Sequence, residues 1–197
     1  SLLEKNNKII IKNILLDKNN LIIKVDKINL NYLDNQNKNN KISLLKLQKN
    51  EYLINGSSFN ANRLIDNLLK SKNNNNYEIL KEKIVLNLDI QEVFISNKDI
   101  VNNFKGKINI NDNEVIKADI SAFFNNDENL TFTINTNNDE KITTLFSSKA
   151  KPIVKRYKFI KGFEEGSLDF SSSKKNNTSQ STLKIYNFKL QELPALT

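Results

Sequence analysis

Apolar and polar residues alternate through most of this chain, and this pattern predicts a protein built mainly from β-strands. The alternation is clearest between residues 84 and 134, where consecutive segments place apolar side chains on one face and polar side chains on the other. One-sided alternation of this kind is typical of an antiparallel sheet. The apolar positions of this run are Leu86, Leu88, Ile90, Ile108, Ile110, Ile116, Ile120, Phe124, Phe132 and Ile134.

Shorter runs predict further strands on both sides of this region. Residues 21–33 alternate with a phase change near Asp26, which we interpret as a bulge. Residues 166–170 and 183–185 predict a hairpin whose long polar turn runs from Lys174 to Gln180. The other predicted strands are residues 8–12, a hairpin of 42–48 with 52–58, and residues 142–146.

Helical spacing of apolar residues occurs in two short segments. Residues 60–70 predict one amphipathic helix, and residues 148–157 predict a second with Pro152 in its first turn. Pro194 is typical of the start of a third helix, one turn before the chain stops. We therefore expect the chain to be a segment of a longer protein.

These patterns divide the chain into three parts. Residues 1–59 supply N-terminal strands, residues 60–77 a short helix and a polar loop, and residues 78–197 a longer β segment. Strand–helix–strand order recurs, and two short helices cannot cover a sheet of nine or ten strands. We expect an extended, twisted antiparallel sheet that forms a groove or half-open barrel, with one apolar face that protein does not cover.

The net charge of +8 comes almost wholly from lysine, since 28 of the 30 basic residues are lysine and only Arg63 and Arg156 are arginine. The lysines are scattered, whereas a phosphate-binding surface usually clusters its charge and favours arginine. We therefore expect no nucleic-acid partner, although weak attraction to anionic lipid headgroups is compatible with the charge. No apolar run approaches the roughly 20 residues that span a bilayer.

The residues that usually carry catalysis are scarce. The chain contains neither histidine nor cysteine, so it lacks the commonest general base and any thiolate. The acidic pairs, such as Glu164 with Glu165, fall in predicted loops, and Ser171 to Ser173 have no histidine to activate them. We expect no enzymatic activity, no metal site and no cofactor.

Four segments carry a resemblance to a known family. Residues 145–150, 163–170, 183–190 and 193–196 contain a Ser-x-Ala helix start, a glycine before an alternating strand, and a strand that leads to a proline-started helix. This order resembles the C-terminal region of AsmA-like proteins, with the YhdP-type branch of Gram-negative bacteria as the nearest group. One departure is that Glu165 precedes Gly166, where the family often has two adjacent glycines.

The resemblance implies a long β-groove anchored in the inner membrane by a segment outside this chain and reaching through the periplasm. Its apolar lining would carry phospholipid acyl chains between the inner and outer membranes. The ten apolar positions from Leu86 to Ile134 would then line the groove. Two alternatives stay open: an envelope assembly module that packs its apolar face against protein, and a basic module that binds nucleic acid.

Overall fold

The structure, a computed structural model, describes residues 2–4, 7–18, 22–65, 83–112, 114–125, 128–157, 163–176 and 178–190. Within these ranges the chain forms fourteen strands, a helical turn at residues 62–65 and one helix, α1 (Lys151–Tyr157). The strands are β1 (Leu2–Glu4), β2 (Asn7–Lys12), β3 (Leu15–Leu16), β4 (Ile22–Lys24), β5 (Lys27–Leu33), β6 (Asn39–Gln48), β7 (Glu51–Asn60), β8 (Ile84–Phe94), β9 (Ile100–Asn111), β10 (Glu114–Phe123), β11 (Asn129–Asn137), β12 (Glu140–Ser147), β13 (Phe163–Lys175) and β14 (Thr178–Leu190).

Twelve of the strands form one open sheet in the order β1-β2-β5-β6-β7-β8-β9-β10-β11-β12-β13-β14. The predicted fold class is confirmed at this level: the protein is mainly β, and its large twisted sheet does not close into a barrel. Every neighbouring pair is antiparallel except β7 with β8, which run parallel. A parallel pair needs a crossover connection, which here joins Asn60 at the end of β7 to Ile84 at the start of β8.

The N-terminal alternating segment differs from its prediction. Residues 21–33 form two strands, and β4 leaves the main sheet to pair with β3 in a separate two-stranded sheet. Val25 and Asp26 separate β4 from β5, and the Asn13 side chain donates a hydrogen bond of 2.9 Å to the Asp26 carboxylate. The predicted bulge is therefore a complete break, because Asn13 and Asp26 end the β2–β5 ladder together.

The predicted long turn from Lys174 to Gln180 is wrong. β13 continues to Lys175 and β14 begins at Thr178, so the hairpin closes in a tight turn with Asn176 at a positive φ of 53°. Backbone pairing carries these polar residues into the sheet, because ladder hydrogen bonds do not require apolar side chains.

The structure describes part of the first predicted helix and the whole of the second. Residues 62–65 are helical, whereas residues 66–77 and Pro194 lie outside the described residues. Helix α1 begins at Lys151 instead of residue 148, because Ser148 still bonds to Asn129: its amide donates to the Asn129 carbonyl at 2.9 Å. Pro152 falls in the first turn of α1, where a missing N–H costs little.

The molecule exposes an unusually large surface. Its accessible area is 14097 Å², whereas a compact protein of 22.7 kDa is expected to expose roughly 9,500 Å². Among the described residues, the only other sheet is the two-stranded β3–β4 pair, so no second large sheet packs on the main one.

Candidate functional site

The strand registers place the predicted apolar residues on one face of the sheet. Residues directly opposite each other on paired strands share a face. Leu86 lies opposite Ile108, which lies opposite Ala118, and Ala118 in turn lies opposite Ile134. Ile84 faces Ile110 in the same way, and Ile120 faces Phe132. Ile116 falls at a register shift between Val115 and Lys117, so its ladder partner is not defined.

The same face continues toward β14. Phe132 lies opposite Leu145, which faces Phe170, and Phe170 faces Leu183 on the last strand. A row of apolar residues thus crosses β8 to β14 without changing face.

The face also extends into the N-terminal strands, which lie outside the predicted apolar row from Leu86 to Ile134. Leu88 pairs with Ile54, which faces Leu44, and Leu44 faces Ile28. Ile28 in turn faces Ile11 on β2. Alternation in residues 28–54 was visible in the sequence, but the parallel β7–β8 junction that aligns it with β8 was not. We call this surface, which runs from Ile11 on β2 to Leu183 on β14, the apolar face.

One glycine interrupts the apolar face near its centre. Gly106 lies between Leu88 on β8 and Ile120 on β10. A Cβ atom built on it would stand 2.5 Å from the Asp119 carbonyl oxygen and 2.9 Å from Ile120 Cγ1. The glycine therefore permits close approach of β9 and β10, and the Ile120 side chain occupies the space that a side chain at position 106 would need.

Protein covers one end of the apolar face. Ile90 and Phe124 are only 4% and 5% exposed, and both belong to a core cluster with Ala61 and Val101, against which Ile153 of α1 packs. Arg156 Nη2 donates a hydrogen bond of 2.8 Å to Asn62 Oδ1, which joins α1 to the helical turn. Ile90 and Phe124 were predicted to line an accessible groove, but they lie in a closed core, because the helical segments pack onto this end of the sheet.

The other predicted lining residues are half-buried and lie outside both buried clusters of the described residues. Both clusters contact the helical segments: Ile65 and Ile153 pack against the first, and the second includes Val154 of α1. The eight residues that remain as candidates for an accessible apolar site are Leu86, Leu88, Ile108, Ile110, Ile116, Ile120, Phe132 and Ile134.

The opposite face of the same strands is polar and exposed. Lys105 and Lys107 of β9 alternate with the apolar row, and Lys117, Asp119 and Ser121 do so on β10. The two faces of one layer thus differ sharply in polarity, as the alternation predicts.

The acidic pairs and serines are engaged in surface contacts. Glu165 accepts a hydrogen bond from Lys189 Nζ at 2.8 Å, and Glu164 is paired with Lys151. Ser173 Oγ donates to Glu140 Oε1 at 2.5 Å. Within the described ranges, no group of three acidic residues is placed to hold a metal ion.

Comparisons with protein-family models, with curated proteins and with solved structures find no match to this chain. Across the residues that the structure describes, no helix combines the length and the apolar character needed to cross a membrane.

Proposed function

We propose that the apolar face shelters phospholipid acyl chains, and that the chain is a segment of an AsmA-like protein carrying lipid across the periplasm between the inner and outer membranes. The observation that carries this proposal is the set of eight half-buried apolar residues on β8 to β11, from Leu86 to Ile134, that lie on the apolar face outside both buried clusters. The family and the location come from the resemblance of the C-terminal segments and not from this geometry.

The dimensions of the face suit long hydrocarbon chains. Twelve strands spaced at about 4.8 Å extend over roughly 50 Å across the sheet. Each CH₂ group that leaves water for an apolar surface gains about 0.8 kcal/mol.

The polarity of the two faces supports an amphipathic ligand. Acyl chains would lie along the apolar face, while phosphate headgroups would stay in water near the lysines that border the strands. An oxygen- or nitrogen-rich ligand would gain little from a surface of leucine, isoleucine and phenylalanine. Burial of this face against another protein is the alternative that the experiment must separate.

A photoreactive residue placed at Ile120 tests the proposal. We expect irradiation in cells to join position 120 to phospholipid, detected by mass spectrometry of the purified chain. The matched control is the adjacent position Ser121, which is exposed on the polar face and should give no lipid adduct. Adducts to protein alone at position 120, or equal lipid capture at both positions, would contradict the proposal.

A further inference from the structure

The N-terminal corner of the sheet carries a second surface, distinct from the apolar face. The β3–β4 hairpin extends beyond the ends of β2 and β5, beside the last residues of β6. The Lys46 amide donates to the Asp26 carbonyl at 2.8 Å and ties β6 to the base of this hairpin. We call residues 12–18, 22–27 and 45–49 the basic corner.

Large apolar side chains stand exposed in the basic corner. Their exposed fractions range from 38% for Leu45 to 60% for Ile23. Contiguous exposed apolar residues rimmed by polar ones mark contact with a partner or a membrane. The residues concerned are Ile14, Leu15, Leu16, Ile23, Leu45 and Leu47.

Lysines surround a shallow cleft of about 530 Å³, widely open to solvent, between the hairpin and β6. The carboxylate that faces the cleft is Asp26, which already accepts the hydrogen bond from Asn13 and lies 3.2 Å from Lys24 Nζ. Positive charge is therefore in excess, from Lys12, Lys24, Lys27, Lys46 and Lys49.

The placement of two of these lysines opposes folding. Lys12 and Lys27 are direct partners across the β2–β5 ladder. Like charges directly opposite each other on neighbouring strands are destabilising. An external anion between or beside them would remove that repulsion.

We propose that the basic corner docks on the surface of an anionic phospholipid bilayer, with headgroup phosphates at the lysine-lined cleft and the exposed apolar side chains at the headgroup–acyl boundary. Basic residues are attracted to the anionic headgroups of a bilayer, and apolar side chains beside them can enter the boundary between headgroups and acyl chains. The charge of the cleft is complementary to such a surface. This inference does not rest on the proposed function, because docking by the corner and occupancy of the apolar face can each occur without the other.

Flotation of the whole chain with phospholipid vesicles tests the inference. We expect binding to vesicles of phosphatidylcholine mixed with phosphatidylglycerol and little binding to phosphatidylcholine alone. The K12Q/K27Q/K49Q variant should lose at least about tenfold in partitioning, since each lysine near an anionic surface contributes about fivefold. Removing the Lys12–Lys27 repulsion should leave its unfolding midpoint unchanged or raised, which separates lost binding from lost folding.

The matched control is K174Q/K175Q/K184Q, which removes the same charge from exposed positions of the β13–β14 hairpin. It should retain binding within about twofold, whereas equal loss would mean that net charge alone drives association. A second variant, L15S/L16S, should also weaken binding, and full retention would overturn the apolar contact.

Two other ligands would overturn the inference. Calorimetric binding of inorganic phosphate without any vesicle binding would identify a site for free phosphate. Retention of a single-stranded oligonucleotide, again without vesicle binding, would identify a nucleic-acid surface.

Discussion

Asparagine takes the place of glycine at the tight turns of this protein. The chain has 36 asparagines and only four glycines. Among the described residues, nine of the ten non-glycine residues with positive φ are asparagine or aspartate, the types that tolerate this region best. The exception is Glu165, with φ of 57°, directly before Gly166 with φ of 80°. The backbone therefore adopts at Glu165 a geometry that suits glycine.

Replacing Glu165 by glycine should stabilise the fold relative to alanine. A left-handed conformation costs a non-glycine residue roughly 1–2 kcal/mol, and the greater freedom of glycine in the unfolded chain offsets part of this gain. We expect Glu165→Gly to exceed Glu165→Ala by about 0.5–1 kcal/mol in free energy of unfolding, measured in urea. Both variants lose the exposed pair with Lys189 equally, so the difference isolates the backbone. Equal stabilities would argue that the positive φ is not retained.

One carboxylate, that of Asp34, organises the turn between β5 and β6. Asp34 accepts hydrogen bonds from the backbone amides of Gln36 at 2.8 Å and Lys38 at 2.9 Å. Its second oxygen accepts from Asn40 Nδ2 at 3.2 Å and Asn60 Nδ2 at 2.6 Å. Burial alone would raise the pKa of Asp34, but the hydrogen bonds from Lys38, Asn60, Gln36 and Asn40 together hold that pKa below its ordinary value.

The lowered pKa of Asp34 gives stability a definite pH dependence. The unfolded value is about 3.9, so the contribution is complete above roughly pH 4–5 and is lost as the pH falls through the lower folded value. We expect Asp34→Asn to lower the free energy of unfolding in urea by about 2 kcal/mol at pH 7. The side-chain NH₂ group introduced at position 34 would face the NH₂ groups of Asn40 and Asn60, which donate to the carboxylate in the native protein. The penalty should shrink as the pH falls below the unfolded pKa and through the lowered folded pKa of Asp34.

The control for this prediction is Asp119→Asn, which alters an exposed carboxylate on the polar face. It should change stability by less than about 0.5 kcal/mol at pH 7. A penalty for Asp34→Asn that stays constant from pH 7 to pH 2 would mean that the charge of Asp34 is not what holds the turn.

At the scale of the whole molecule, burial is concentrated at one end of the main sheet. Ile90 is 4% exposed beside the helical segments, whereas Ile108, on the same face of the next strand, is half-buried and lies outside both buried clusters. Stability and accessibility are therefore distributed unevenly along the apolar face.

Truncation of these two isoleucines should show this asymmetry. Ile90→Ala leaves a cavity in a closed core and should cost about 3–4 kcal/mol in urea unfolding. Ile108→Ala should cost about half as much, since its surroundings are already partly open. Equal penalties would indicate that protein covers both positions, and would count against an accessible apolar face.

Several features could be predicted from the sequence because they depend on neighbours along the chain. Alternation with a period of two residues identifies strands and the side chains that share a face within each strand. It located β8 to β12 and the apolar row from Leu86 to Ile134. It failed for the β13–β14 turn, because Ser171 to Ser181 pair through the backbone and show no apolar alternation there.

Local alternation thus specifies that this chain forms amphipathic strands, and which positions of each strand are apolar. The folded arrangement adds that the strands of residues 7–60 join the same face through the parallel β7–β8 pair, and that Ile90 and Phe124 lie in a closed core. It also brings Lys12, Lys27 and Lys49 around one cleft. These outcomes depend on contacts between residues far apart in the chain, and alternation within a strand contains no information about which strand lies beside it.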